Sequence, residues 1–329
     1  MRTYQYDDAN DHYGYGDEYE YELDNGYDAK PRRKRRRRKR RHPLRRLILI
    51  VLAAACVWKL PLIIQGVRSL TAPESGIYEQ LSDSALPADD GLKSGTVSAD
   101  TTEALEAMAK ADPKARPIVQ NPGQYPQRLL ESLGRNSELL DFTLDYPKKK
   151  GTYSKNIDLS KQSEKGQVPL LIQWDEQWGY APYGDGIIAL DGCGPTCLSM
   201  VAVGLTGDTS QNPKAVADYS AKNGYLDRKS NSTLWTLMSD GAKKLGLSSR
   251  EIPLSESRMT EELSRGDPII CCMGPGDFTT QGHFIVICEV QSGKFTVHDP
   301  NSKKRSEETW SYDTLKPQIR NLWAFSAPR

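Results

Sequence analysis

Cys193 stands between two glycines in the run Gly192-Cys193-Gly194-Pro195-Thr196, which opens an apolar stretch. A thiol placed there sits on a sharp turn at the start of a predicted helix, where first-turn N–H groups and the helix dipole favour a thiolate. The two glycines are read as keeping side chains away from an approaching substrate backbone. Farther along, Gly282-His283 opens another apolar run and His298-Asp299-Pro300 closes a third. A thiol nucleophile needs an imidazole to take and return a proton, and a third group to orient that imidazole. The four histidines are His12, His42, His283 and His298. The first two precede an apolar segment expected to cross a membrane, so the base is His283 or His298, and the glycine-flanked strand-edge position of His283, expected to open onto a cleft, favours it.

Successive strand residues face opposite ways, so His298 and Asp299 do not both point at His283. A carboxylate would also stabilise the imidazolium. Asp299 is therefore the preferred orienting group, with Asn301 second and His298 third. Acyl transfer further requires oxyanion donors. The backbone N–H of Cys193 is one candidate, and the side-chain amide of Gln173 is the other. Plain structural alternatives exist for each: a buried cysteine in a glycine turn, a histidine satisfied at a strand end, a surface glutamine.

The elements that would carry these groups follow from periodicity and punctuation. Residues 168–174 read as a short strand or extended entry, and 175–186 as a loop rich in Trp and Tyr. Pro195 suits the first turn of a helix running to Gly204. Further helices fit 213–223, 231–245 and 256–265. Strands fit 268–273, 283–290 and 294–298, with Ser292-Gly293 as the hairpin turn between the last two. Helices first and antiparallel strands after give an α+β layout, with the cysteine on a helix and the histidine and acid on the sheet. Leucines from 129 to 144 predict two short helices over 126–145, broken near Gly134 and Asn136, that belong to the same folded unit.

Composition divides the rest of the 329 residues. The net charge of +1 conceals an acidic, tyrosine-rich stretch over 4–28 followed by ten consecutive Arg or Lys residues at 32–41. Residues 1–46 are expected to be a disordered cytoplasmic tail. The apolar run 47–67 is long enough for a transmembrane helix, and the basic block before it predicts an N-terminus inside and a C-terminal domain outside. A cleaved signal peptide, or lipidation at Ala53-Ala54-Ala55-Cys56, is the alternative to this single-pass anchor. Beside an apolar span the basic block is expected to set topology and bind anionic headgroups rather than nucleic acid. Residues 68–124, rich in Pro, Ser, Asp and Ala with one weak helix over 101–112, read as an extracellular stalk. The folded domain is expected over 125–329. Cys56, Cys193, Cys197, Cys271, Cys272 and Cys288 form neither a zinc spacing nor a disulfide framework. Cys197, one helical turn beyond Cys193, reads as a packing residue with some scope for redox sensitivity. No metal or cofactor is expected.

Five blocks in order, YPQRLLESLGRN, LLIQWDEQWGYAPYGDG, DGCGPTCLSMV, GPGDFTTQGHFIVI and HDPNS, resemble the papain-like peptidases related to the bacteriocin-processing, double-glycine leader peptidases. The chain is most similar to stand-alone, membrane-anchored bacterial members such as those of clostridia. The resemblance covers roughly 125–329. It implies a papain-like fold and hydrolysis of peptide bonds through a thioester acyl-enzyme. It also implies Cys193 as nucleophile, His283 as base, Asp299 as orienting acid and Gln173 as the oxyanion amide. The chain shows no P-loop and a single apolar span, so an exporter role and a double-glycine substrate are not implied. The partner is then a peptide or protein substrate. A peptidoglycan endopeptidase or amidase on the same fold, and a peptide-binding module without catalysis, are the competing readings.

Overall fold

The computed structural model describes residues 97–327; the tail, the apolar run 47–67 and the first part of the expected stalk lie outside the described residues. Among the described residues no helix is long and apolar enough to cross a membrane.

The centre is a six-stranded antiparallel sheet of β1 (Ser248–Glu251), β2 (Ile269–Met273), β3 (His283–Gln291), β4 (Lys294–His298), β5 (Thr309–Ser311) and β6 (Ile319–Ser326), in the order β1-β6-β2-β3-β4-β5. The α+β layout is as expected. The alternation along the inner strands shows why two layers cover the sheet. On β2, Ile270 and Cys272 face one core while Ile269, Cys271 and Met273 face another. On β3, Phe284 and Val286 go to the first and Ile285 and Ile287 to the second. Helix α5 (Cys193–Thr206) fills the first core with Cys197, Leu198, Met200 and Val201 and packs across β3. The second core lies on the opposite face, under the helix Glu256–Ser264.

Strands β2, β3 and β4 and the helices Pro213–Lys222 and Glu256–Ser264 fall where periodicity puts them. Residues 168–174 take the extended-entry alternative and join no ladder. Two other points differ from the sequence reading. The predicted helix over 231–245 begins late: Ser232–Thr233 pair with Leu226–Asp227 in a small hairpin, and the helical turns start at Leu237. Asn231 has positive φ there, and its side chain accepts from the Asp185 N–H, a local bond that competes with helix. Strands β1, β5 and β6 are additions that the sequence reading lacks.

The folded unit also starts earlier than residue 125. The helices α1 (Ala99–Ala111), α2 (Arg116–Gln120), α3 (Gln127–Arg135) and α4 (Leu140–Lys149) share one core. In it Leu105 and Ile118 pack with Leu129, Leu130, Leu133, Leu139 and Phe142. Residues 97–124 are therefore not spacer: Ser98 caps α1 by accepting from the Thr101 N–H, and the apolar positions of α1 and α2 close the leucine face of α3. This core includes Tyr180, Ile187 and Ala189, which precede the Cys193 turn. Because Ile118 is fully buried, Ile118→Ala is expected to destabilise the chain by about 2–5 kcal/mol, measured by denaturant unfolding. An unchanged midpoint would return 97–124 to the stalk.

Candidate active site

A single helical turn, Ile188–Asp191, leads through Gly192 into α5, whose first residue is Cys193. The Thr196 N–H is the first to bond back, to the Gly192 carbonyl, so the N–H groups of Cys193 and Gly194 are not consumed by the helix. Pro195 lies in this first turn, where its missing N–H costs nothing. The glycines serve packing rather than substrate access. A Cβ at Gly192 would stand 2.6 Å from the Ile188 carbonyl oxygen and side chain, and one at Gly194 2.8 Å from the Thr233 side chain. The turn closes against protein on both sides, and Cys193 itself remains partly exposed. The buried Asp191, two residues before Cys193, is paired with Arg128 of α3 at 2.7 Å.

His283 opens β3, an inner strand, opposite Met273. Its ring is buried, contrary to the exposed strand edge expected. The neighbouring strands enclose it on the sheet. The β3–β4 hairpin brings Asp299 back beside it, and His283 Nε2 lies 2.7 Å from Asp299 Oδ1. With Nε2 committed to the carboxylate, the other ring nitrogen is left for the Cys193 thiol, which lies close enough to act on the His283 pKa. The structure thus gathers Cys193, His283 and Asp299 at one place, with the His283–Asp299 pair hydrogen-bonded. Burial works against the imidazolium, but the Asp299 carboxylate and then the Cys193 sulfur carry the His283 pKa up to about 10.

Asp299 is completely buried. Burial alone would raise its pKa. The His283 imidazole and the Arg305 guanidinium overcome that and hold it below the ordinary carboxylate value. Oδ1 also accepts from the Asn301 N–H at 2.8 Å, and Oδ2 from Arg305 Nε at 2.5 Å. Arg305 sits on the short helix Lys303–Glu307. No sequence signal marked it, since a lone arginine six residues after an aspartate has many uses. Asn301 supports Asp299 through its backbone and does not replace it. His298 is half-buried and is pushed below its ordinary pKa, chiefly by its removal from water.

Gln173 bridges the two turns. Its backbone N–H donates to Pro300 O at 2.7 Å and its Nε2 to Ala189 O at 2.6 Å. The side chain is buried, and Oε1 has no hydrogen-bond partner among the described residues. Of the other cysteines, Cys197, Cys271 and Cys288 are pushed upward first of all by burial and lie in the packed layers. Cys272 is partly exposed, with its pKa pushed up to about 12, again first by burial. All five described cysteines are free, and no group of side chains suited to a metal occurs among the described residues.

The His283–Asp299 pair has a definite pH signature. The raised histidine contributes stability fully present below its ordinary value of 6.5 and lost as pH climbs through about 10. The lowered aspartate contributes stability present above its ordinary value of 3.8 and lost as pH falls beneath it. The advantage of the unaltered chain over Asp299→Asn should therefore be largest between about pH 4 and 6.5 and shrink on both sides. Denaturant unfolding of both proteins across that range measures it. A difference flat from pH 4 to 10 would mean that the pair is not ionised as described.

Residues 165–326 match the model of the Peptidase_C39 like family. Among solved structures, the peptidase domain of Streptococcus ComA, a bi-functional ABC transporter involved in quorum sensing, is 21% identical, covers 42% of this chain and 92% of its own, and has a TM-score of 0.32. A putative C39-like peptidase from Bacillus anthracis is 14% identical, covers 50% of this chain and 96% of its own, and also has a TM-score of 0.32. No curated protein matches the sequence. The matched segment, just under half of the chain, contains the turn of Cys193, the strand of His283 and the turn of Asp299, and it is similar to the Peptidase_C39 like family.

Proposed function

We propose that the protein hydrolyses peptide bonds, with Cys193 as nucleophile, His283 as general base and acid, Asp299 as the orienting group and Gln173 as an oxyanion donor. The observation that carries this reading is the hydrogen bond between a buried imidazole and a fully buried carboxylate, beside a partly exposed thiol. Burial excludes water from the His283–Asp299 bond and strengthens it.

In this reading the Cys193 sulfur attacks the scissile carbonyl carbon while the imidazolium of His283 holds the proton. The developing oxyanion is met by the Cys193 backbone N–H and by the N–H of Gln173 not used on Ala189. His283 then protonates the leaving amine, leaving a thioester on Cys193. Water, deprotonated by His283, attacks the thioester and restores the thiol. Asp299 stays ionised throughout and keeps the same ring nitrogen turned toward the sulfur.

The setting completes the proposal. The apolar run 47–67 would be a single uncleaved span, the basic block 32–41 would keep the N-terminus in the cytoplasm beside anionic headgroups, and the peptidase would face outward on the cell surface. What supports this is the sequence, since these residues lie outside the described ones.

Assay of the full chain against a peptide library and purified peptidoglycan tests the activity. Cys193→Ala should abolish peptide hydrolysis and labelling by a thiol-directed probe while leaving the fold intact. Gln173→Ala should lower kcat by about 10²–10³ while Cys193 still accepts the probe. Full hydrolysis by Cys193→Ala would sink the mechanism, and release of muropeptides without peptide cleavage would move the activity to the cell wall.

A further inference from the structure

The family match begins at residue 165, yet the turn that bears Asp299 is held from outside it. Asn136 ends α3 in an extended conformation, and its Oδ1 accepts from the Glu138 N–H at 3.1 Å. The same amide's Nδ2 donates to Asn301 O at 2.6 Å, so both ends of the Asn136 side chain have defined partners. Glu138 spans the gap next to it. Its Oε1 accepts from Ser302 Oγ at 2.5 Å and its Oε2 from the Lys303 N–H at 2.9 Å. A carboxylate from a distant helix thus meets the first N–H of the short helix Lys303–Glu307, where negative charge is favoured. Ser302 Oγ in turn accepts from the Arg305 N–H at 3.1 Å, and Arg305 Nε reaches Asp299. Ser302 is buried and its bonds to Glu138 and Arg305 are part-buried, while the bond from the Lys303 N–H to Glu138 lies at the surface.

We propose that Glu138 is a positioning residue for the candidate site: through Ser302 and the backbone of Lys303 it fixes the 299–305 turn, so that Asp299 and Arg305 stay aligned on His283. The helices before residue 150 are then a working part of the site rather than an appendage to it. This deepens the peptidase reading, and only the kinetic part of its test rests on that reading.

Replacement of Glu138 by Gln keeps the size but turns one of its two acceptors into a donor facing a donor. In a Cys193→Ala background the coupled thiol is absent and His283 titrates without it. The four histidines give few NMR signals, and His283 is identified by its loss in His283→Gln. Glu138→Gln in that background should move the His283 titration to lower pH by about one unit or more, as its carboxylate partner drifts away, with His298 unmoved as the internal control. With Cys193 restored, Glu138→Gln should lower kcat roughly 10- to 100-fold with KM within about twofold. An unshifted His283 titration in a folded Glu138→Gln chain overturns the proposal, as does unchanged kcat. If Glu138→Gln does not fold, Ser302→Ala, which deletes only the hydroxyl link, carries the same titration with the same two outcomes. A chain that cleaves no peptide before any substitution defeats the peptidase reading alone, and the titration still decides the role of Glu138.

Discussion

The structure depends on keeping one carboxylate charged where no water reaches it. Asp299 is fully buried, and an isolated carboxylate in such a place would take up a proton rather than remain ionised. Three donors hold it in the charged form: the His283 ring, the Arg305 guanidinium and the Asn301 N–H. Of these, His283 is the one that would change protonation in the proposed acyl transfer. Arg305 does not, because a guanidinium keeps its proton throughout. The arginine therefore supplies the constant counter-charge that lets Asp299 remain an anion when the imidazole is neutral. Without it, the carboxylate would gain and lose its balance of charge within each turnover.

That requirement explains why the two halves of the site sit on different kinds of structure. The histidine and the acid need a fixed separation, and adjacent antiparallel strands give one: the β3–β4 pairing that sets Val286 opposite His298 also sets where His283 and Asp299 meet. The sulfur needs unspent N–H groups and a partly open face. A helix start provides these, and the tight contacts of Gly192 with Ile188 and of Gly194 with Thr233 fix its height above the sheet. Gln173 ties the two together, with one bond to the turn before Cys193 and another to the turn after Asp299.

What the sequence disclosed follows the same division. Cys193, His283 and Asp299 were legible because each is marked locally, by a glycine turn before an apolar run or by a strand end. The inner strands and α5 were legible from their apolar runs. Arg305, Glu138 and Asn136 were not, because their meaning lies in partners up to 165 residues away and their surroundings in sequence are ordinary. Helix α1 looked weak because a single residue, Leu105, is buried along it, and its worth comes from the leucines of α3 that it covers. Strand β6 escaped notice because it is buried on both faces, with Trp323 and Phe325 on one core and Leu322 and Ala324 on the other. Such a strand lacks the alternation that identifies a half-exposed one. The burial of His283 was misjudged because a following strand end says nothing of the neighbours on either side.

Packing alone would leave the site under-determined. The helix layer and the sheet meet through apolar contact, which is strong but has no preferred direction, so α5 could settle by fractions of an ångström without losing much burial. A thiol–imidazole contact tolerates far less than that. The segment from 128 to 138 supplies direction from one rigid source: Arg128 grips Asp191 beside Cys193, while Asn136 and Glu138 grip Asn301, Ser302 and Lys303 beside Asp299. Both grips hang from the same leucine core. A displacement of either turn therefore strains hydrogen bonds to a common body, and the sulfur and the carboxylate are referenced to each other by a route that does not pass through the sheet.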